Sequence, residues 1–100
     1  MANQGAIVVK PLDYTRLTQP ERAQLRSRYI EMQNGLCYHC GEQLSGDPSS
    51  DVLARKLDMR RFPTNFLKWP IHLHHNHRTG MTLGAVHAHC NGVLWQYHGE

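Results

Sequence analysis

Ile71-His72-Leu73-His74-His75-Asn76-His77-Arg78-Thr79-Gly80, continued by Met81-Thr82-Leu83-Gly84-Ala85-Val86-His87-Ala88-His89-Cys90-Asn91, is the stretch on which the reading of this chain turns. Six of the eight histidines fall between positions 72 and 89, a density of imidazole that no ordinary core needs. Ile71 to His75 can run extended, Arg78-Thr79-Gly80 reads as a turn, and Met81 to Val86 reads as a returning strand. Cys90 to His98 has helical spacing, with Val93, Leu94 and Tyr97 expected to pack inward. The order is strand, turn, strand, helix, a ββα unit. Adjacent strand residues face opposite sides, so a regular strand puts His75 and His77 on one face and His72 and His74 on the other. His74 and His75 share a site only if the strand bends or ends between them.

Clustered His and Cys at short, regular gaps are what metal coordination requires. Cys37-x-x-Cys40 supplies one pair of ligands, and His87-x-x-Cys90 repeats the two-residue gap downstream. Four soft or borderline donors of this kind make a closed tetrahedral zinc site. His89 is the rival fourth ligand, but its adjacency to Cys90 makes it hard for both side chains to reach one ion. Gly41 is placed for the tight turn that lets two thiolates face that ion. Zinc would tie the N-terminal part of the chain to the ββα unit, so metal binding and folding should be inseparable.

Upstream, Thr18-Gln19-Pro20-Glu21 reads as a helix start: Thr18 caps, Pro20 fits the first turn, and Glu21 completes a capping box. Leu25, Tyr29, Met32 and Leu36 follow on one helical face and are expected in the core. Asn34-Gly35 closes the helix, which gives a span of 18–35. Residues 1–13 form an extended, loosely attached arm with one short strand at Ile7-Val8-Val9. Residues 42–70 are an insert: a polar loop from Glu42 to Asp51, a short basic helix within Asp51 to Arg61, and a break at Pro63. The whole is one α+β domain over 1–100, a helix stapled by zinc to a ββα core at 37–98.

A chain of 100 residues buries only a modest core, and a structural metal is a common supplement at this size. Three cysteines cannot pair off internally, and neither a signal peptide nor a membrane span is visible. A reducing cytoplasm is the expected compartment. A thiol redox role for Cys37-x-x-Cys40 fails, because no thioredoxin-like βαβ pattern surrounds it. The formal charge of +3 is compatible with a polyanion. Arg55, Lys56, Arg60, Arg61 and Lys68 form one basic group, and Arg22, Arg26 and Arg28 a second; such surfaces commonly contact phosphates.

In motif order, Cys37-x-x-Cys40-Gly41, His74-His75-Asn76-His77-Arg78-Thr79-Gly80 and Gly84-Ala-Val-His87-Ala-His-Cys90-Asn91 resemble the HNH endonucleases, closest to the branch of phage recombination endonuclease VII. The resemblance covers residues 37–91. It implies a ββα-metal nuclease that hydrolyses DNA phosphodiester bonds with one catalytic divalent ion besides the structural zinc. By position, His74 and Asn91 would bind that ion, His75 would be the general base, and His77 would hydrogen-bond the phosphate. The family branch has Asp where this chain has His74, so manganese or another transition metal should suit the site better than magnesium. Seven residues from Asn91 on the same helical face, His98 is a further possible ligand or DNA contact.

Arg78 beside the turn is a candidate phosphate clamp. Arg55, Lys56, Arg60 and Arg61 should hold DNA backbone rather than read bases, which implies nicking with low sequence specificity. The resemblance also implies phage or prophage DNA processing, with DNA as partner, no membrane, and either a homodimer or other phage DNA-processing proteins alongside. The alternative is a non-catalytic zinc module that binds nucleic acid or protein. Such a module has no reason to carry His74, His75, His77 and Asn91 beside complete zinc ligands.

Overall fold

The computed structural model describes residues 8–99. Its elements run as a 3-10 turn (Tyr14–Arg16), α1 (Gln19–Met32), α2 (Ser50–Leu53), a 3-10 turn (Met59–Arg61), β1 (Ile71–His75), β2 (Thr82–His87) and α3 (Ala88–His98). Two antiparallel strands and three helices make a small α+β fold, with α1 and α3 both packed on the strands.

Helix α1 begins as its capping box requires. The Thr18 hydroxyl accepts the Glu21 amide at 3.3 Å, and the Glu21 carboxylate accepts the Thr18 amide at 2.8 Å. Asn34 (φ 55°) and Gly35 (φ 76°) both take the left-handed conformation that turns the chain away. Leu25 and Tyr29 are buried as expected, and Met32 is half-buried. Leu36 is not core: it lies beyond the reversal, where helical spacing no longer applies, and stands exposed in an isolated bridge to Gln43.

The strands pair Ile71 with His87 through His74 with Gly84, and then His75 pairs with Thr82, leaving Leu83 as an extra residue. This bulge sits between His74 and His75, at the point where the strand must bend if the two are to serve one site. The outer edge of β2 is covered. The Gln33 amide bonds both the N–H (2.8 Å) and the carbonyl (2.9 Å) of Ala85, and the Tyr38 N–H also reaches that carbonyl. The Cβ that Gly84 lacks would lie 2.8 Å from both the Gln33 oxygen and the Tyr38 ring.

Four further expectations need correction. Ile7 lies outside the described residues, and Val8-Val9 form no strand with any described residue; Val8 is exposed. The arm is also anchored rather than loose: Leu12 exchanges hydrogen bonds with Thr82, Asp13 bridges Met81, and the Tyr14 amide donates to Gly80. In the insert, helix is confined to Ser50–Leu53, capped by Ser49, and Asp58 caps a separate turn at Met59–Arg61, so no continuous basic helix forms. Tyr97 is not core but exposed, its hydroxyl donating to the Lys56 carbonyl at 2.6 Å.

Candidate metal centre and histidine cleft

The chain between α1 and the insert folds back so that the Cys37 N–H donates to the Glu42 carbonyl, while Gly41, at φ 79°, returns its N–H to Cys37. This small knuckle aims the N–H groups of His39 and Cys40 at the Cys37 sulfur, at 3.4 and 3.5 Å. Strand β2 and the first turn of α3 bring His87 and Cys90 to the same point. The ligand atoms of Cys37, Cys40, His87 and Cys90 all lie within 4.8 Å of one another. His87 Nδ1 stands 3.5 Å from the Cys40 sulfur and 3.6 Å from that of Cys90.

The donor chemistry fits a structural zinc. His87 Nε2 is 2.8 Å from the Gln43 carbonyl, which can only accept, so the ring proton sits on Nε2 and Nδ1 is left bare toward the sulfurs. The Cys90 thiol bonded to the Cys37 sulfur pulls Cys37 well below the ordinary thiol range, and the same contact together with burial holds Cys90 up. A divalent cation is what lets all three sulfurs shed their protons together. His89 is turned away, its Nε2 donating to the Arg55 carbonyl at 3.0 Å. It is thus His87, and not His89, that the fold brings to the three cysteines.

The remaining histidines gather around β1 and α3. His74, fully buried, places Nδ1 3.1 Å from the Asn91 side-chain oxygen. The Asn91 amide nitrogen lies 3.1 Å from Nδ1 of His72, so one asparagine spans two histidines from the same strand face. His75 leaves toward Tyr14, stacking on its ring at 3.9 Å between centroids and 10° between planes. Arg22 lies over the same tyrosine ring at 3.8 Å and donates two hydrogen bonds to its carbonyl. The exposed His77 ring sits 4.6 Å from that of His75.

His72, His75, His77 and Asn91 line one cleft of ≈ 340 Å³ with Tyr14, Arg22 and Arg26. His74 lies beneath, reaching the cleft through Asn91. Burial drives the His75 pKa down to about 4, helped by its neighbours His77, His74 and Arg22 and opposed by Asp13. His72 is lowered as well, mainly by burial. His75 is thus neutral at neutral pH.

The 3.1 Å between His74 Nδ1 and Asn91 Oδ1 is the distance of an ordinary hydrogen bond. Among the described residues, the Cys3His group is the one set of three or more His, Cys, Asp or Glu side chains gathered closely enough for an ion.

Other candidates fall apart spatially. His98 is exposed at the end of α3, its ring 6.1 Å from that of His39. It lines neither the histidine cleft nor the pocket beside it. Of the four insert cations, Arg61 lines that neighbouring pocket with His77 and Asn91 and lies 4.8 Å over Trp95. Arg60 is clamped by both oxygens of Asp58 at 3.0 and 3.1 Å, Arg55 lies over Tyr97, and Lys56 is exposed. Arg78 is exposed at the hairpin, where Asn76 accepts its N–H at 2.7 Å. Sequence reasoning gave no role to Tyr14 or His72. The His72 signal was present, since a residue two before His74 on a strand shares its face; Tyr14 carried none.

No family model, curated protein or solved structure matches this chain. No helix among the described residues is long and apolar enough to cross a membrane.

Proposed function

We propose that this chain is a metal-dependent DNA endonuclease of the HNH, ββα-metal class, with Cys37, Cys40, His87 and Cys90 holding a structural zinc. The observation that carries this reading is the 3.1 Å His74–Asn91 pair joining β1 to α3, with Asn91 lining a cleft that also holds a neutral, stacked His75 and with His74 buried beneath it. A divalent ion held by His74 and Asn91 would polarise the scissile phosphate and offset charge on the departing 3′ oxygen. His75 accepts a proton from water, whose oxygen forms the new P–O bond as the bond to the 3′ oxygen breaks and that oxygen takes up a proton. The cations bordering the cleft, Arg22, Arg26 and Arg61, hold the flanking phosphates. His77, exposed beside His75, donates to the phosphate under attack.

The test is nicking of supercoiled plasmid with Mn²⁺ by wild type and His75→Ala, with zinc content measured in both. A loss of about 10²-fold or more with zinc retained supports the reading. Unchanged nicking removes His75 as the base. If neither protein cuts under any divalent ion while both hold zinc, the chain is a non-catalytic zinc module.

A further inference from the structure

From the chain of polar contacts His72–Asn91–His74 we infer that His72 is a positioning residue that sets which way the Asn91 amide faces. The inference rests on the proposed ion at His74 and Asn91, and it concerns a residue to which neither the motif nor that mechanism gives a task.

An asparagine amide offers an oxygen at one tip and two N–H donors at the other, and only the oxygen can serve a cation. Turned around, Asn91 would present N–H groups where an acceptor is needed. Its two tips face two imidazoles, Nδ1 of His72 at 3.1 Å and Nδ1 of His74 at 3.1 Å. A neutral imidazole has one donor and one acceptor nitrogen. The amide nitrogen of Asn91 that faces Nδ1 of His72 at 3.1 Å can only donate, so in this orientation Nδ1 is the bare, accepting nitrogen. A bare Nδ1 accepts the Asn91 Nδ2–H, and the amide oxygen is thereby turned toward His74. The edge of the Phe66 ring also packs against His72, centroids 4.8 Å apart and planes 84° apart, which limits its rotation. The insert between the zinc knuckle and β1 thus controls a ligand on α3 through one histidine.

The first measurement is NMR of the zinc-loaded wild-type protein without DNA or added metal, reading ring nitrogen shifts and the Asn91 side-chain amide. His72 is expected in the tautomer protonated at Nε2, with the Asn91 NH₂ hydrogen-bonded to its Nδ1. A proton on His72 Nδ1 would mean that Asn91 faces the other way and overturns the inference.

The second is Mn²⁺ binding to zinc-loaded wild type, His72→Ala and His72→Gln, followed by the EPR signal of free Mn²⁺ and by the Mn²⁺ dependence of nicking. His72→Ala should retain zinc and bind Mn²⁺ about 10–100-fold more weakly, the usual cost of losing an outer-shell partner. Its nicking rate at saturating Mn²⁺ should approach that of wild type. His72→Gln, which keeps an acceptor for Asn91, should recover most of the affinity. Unchanged affinity in His72→Ala sinks the inference, and equal loss in both variants makes His72 a direct ligand instead. Wild-type protein with the expected tautomers that neither binds Mn²⁺ nor nicks retains the amide lock but refutes the nuclease reading.

Discussion

His75 is half-buried, stacked on Tyr14, and held at a pKa of about 4 chiefly by burial. An ordinary histidine loses its basic form below about pH 6.5, whereas this one stays neutral through that range. Nicking at saturating Mn²⁺ should therefore show no break near pH 6.5 as the pH is lowered from about 8 to 6. A rate that halves there would place another group in the role of base. The same shift fixes a sign for stability. The unfolded chain takes up a proton at His75 and His72 that the folded chain refuses, so stability falls as pH drops through about 6.5 toward 4. A urea midpoint lower at pH 5.5 than at pH 7, with a smaller difference in His75→Phe, checks it. Tyr14 holds the ring through stacking, so Tyr14→Phe should nick normally, while Tyr14→Ala should lose on the order of tenfold, within the 10²-fold that misplacement can cost. Gly84 is a packing case: alanine there collides with the Gln33 oxygen and the Tyr38 ring at 2.8 Å. Gly84→Ala should destabilise by about 1–3 kcal/mol in denaturant unfolding.

Among the elements, those with strong local signals were legible before any coordinates. The capping box started α1 at Thr18, extended segments on either side of the Arg78-Thr79-Gly80 turn gave β1 and β2, and matched two-residue gaps gave the metal cluster. The misses share a cause: local pattern continued past the point where tertiary structure takes over. Leu36 has helical spacing but follows the left-handed pair Asn34-Gly35, and Tyr97 has inward spacing on α3 but is claimed by the Lys56 carbonyl. The insert was least legible because it is held by α3 rather than by itself. Gln96 receives the Asp58 amide at 2.9 Å and His89 holds the Arg55 carbonyl at 3.0 Å. That docking also sorts the cations, as charge counting could not. Arg60 is neutralised by Asp58, whereas Arg61 borders the cleft. Arg61→Ala should therefore weaken binding of duplex DNA to a His75→Ala background and flatten its salt dependence by about one ion in the logarithmic slope. Arg60→Ala should do neither, as read by fluorescence anisotropy across a salt series. Equal effects from both would mean that Asp58 releases Arg60 to the phosphates.

Across the whole molecule, the metal cluster is where the distant parts of the chain meet. Cys37 and Cys40 follow α1, His87 ends β2, and Cys90 opens α3; Cys37 and Cys90 also sit within the buried apolar cluster with Leu44, Val86 and Val93. A core of this size gains little margin from burial alone, and three sulfurs and a histidine converge within it at one point. Stripping zinc with a chelator should therefore unfold the chain cooperatively rather than merely silence it, with helical circular dichroism and tryptophan emission lost together and regained on adding back one equivalent of zinc. The two neighbouring histidines make the control. His87→Ala removes a ligand and should yield protein that is unfolded or zinc-poor. His89→Ala removes only the tie to Arg55 and should hold a full equivalent of zinc at a cost of about 1 kcal/mol. A chelated protein that keeps its helical signal would show that the apolar cluster suffices, and His87 would then be one more buried histidine, held by the Gln43 carbonyl at 2.8 Å.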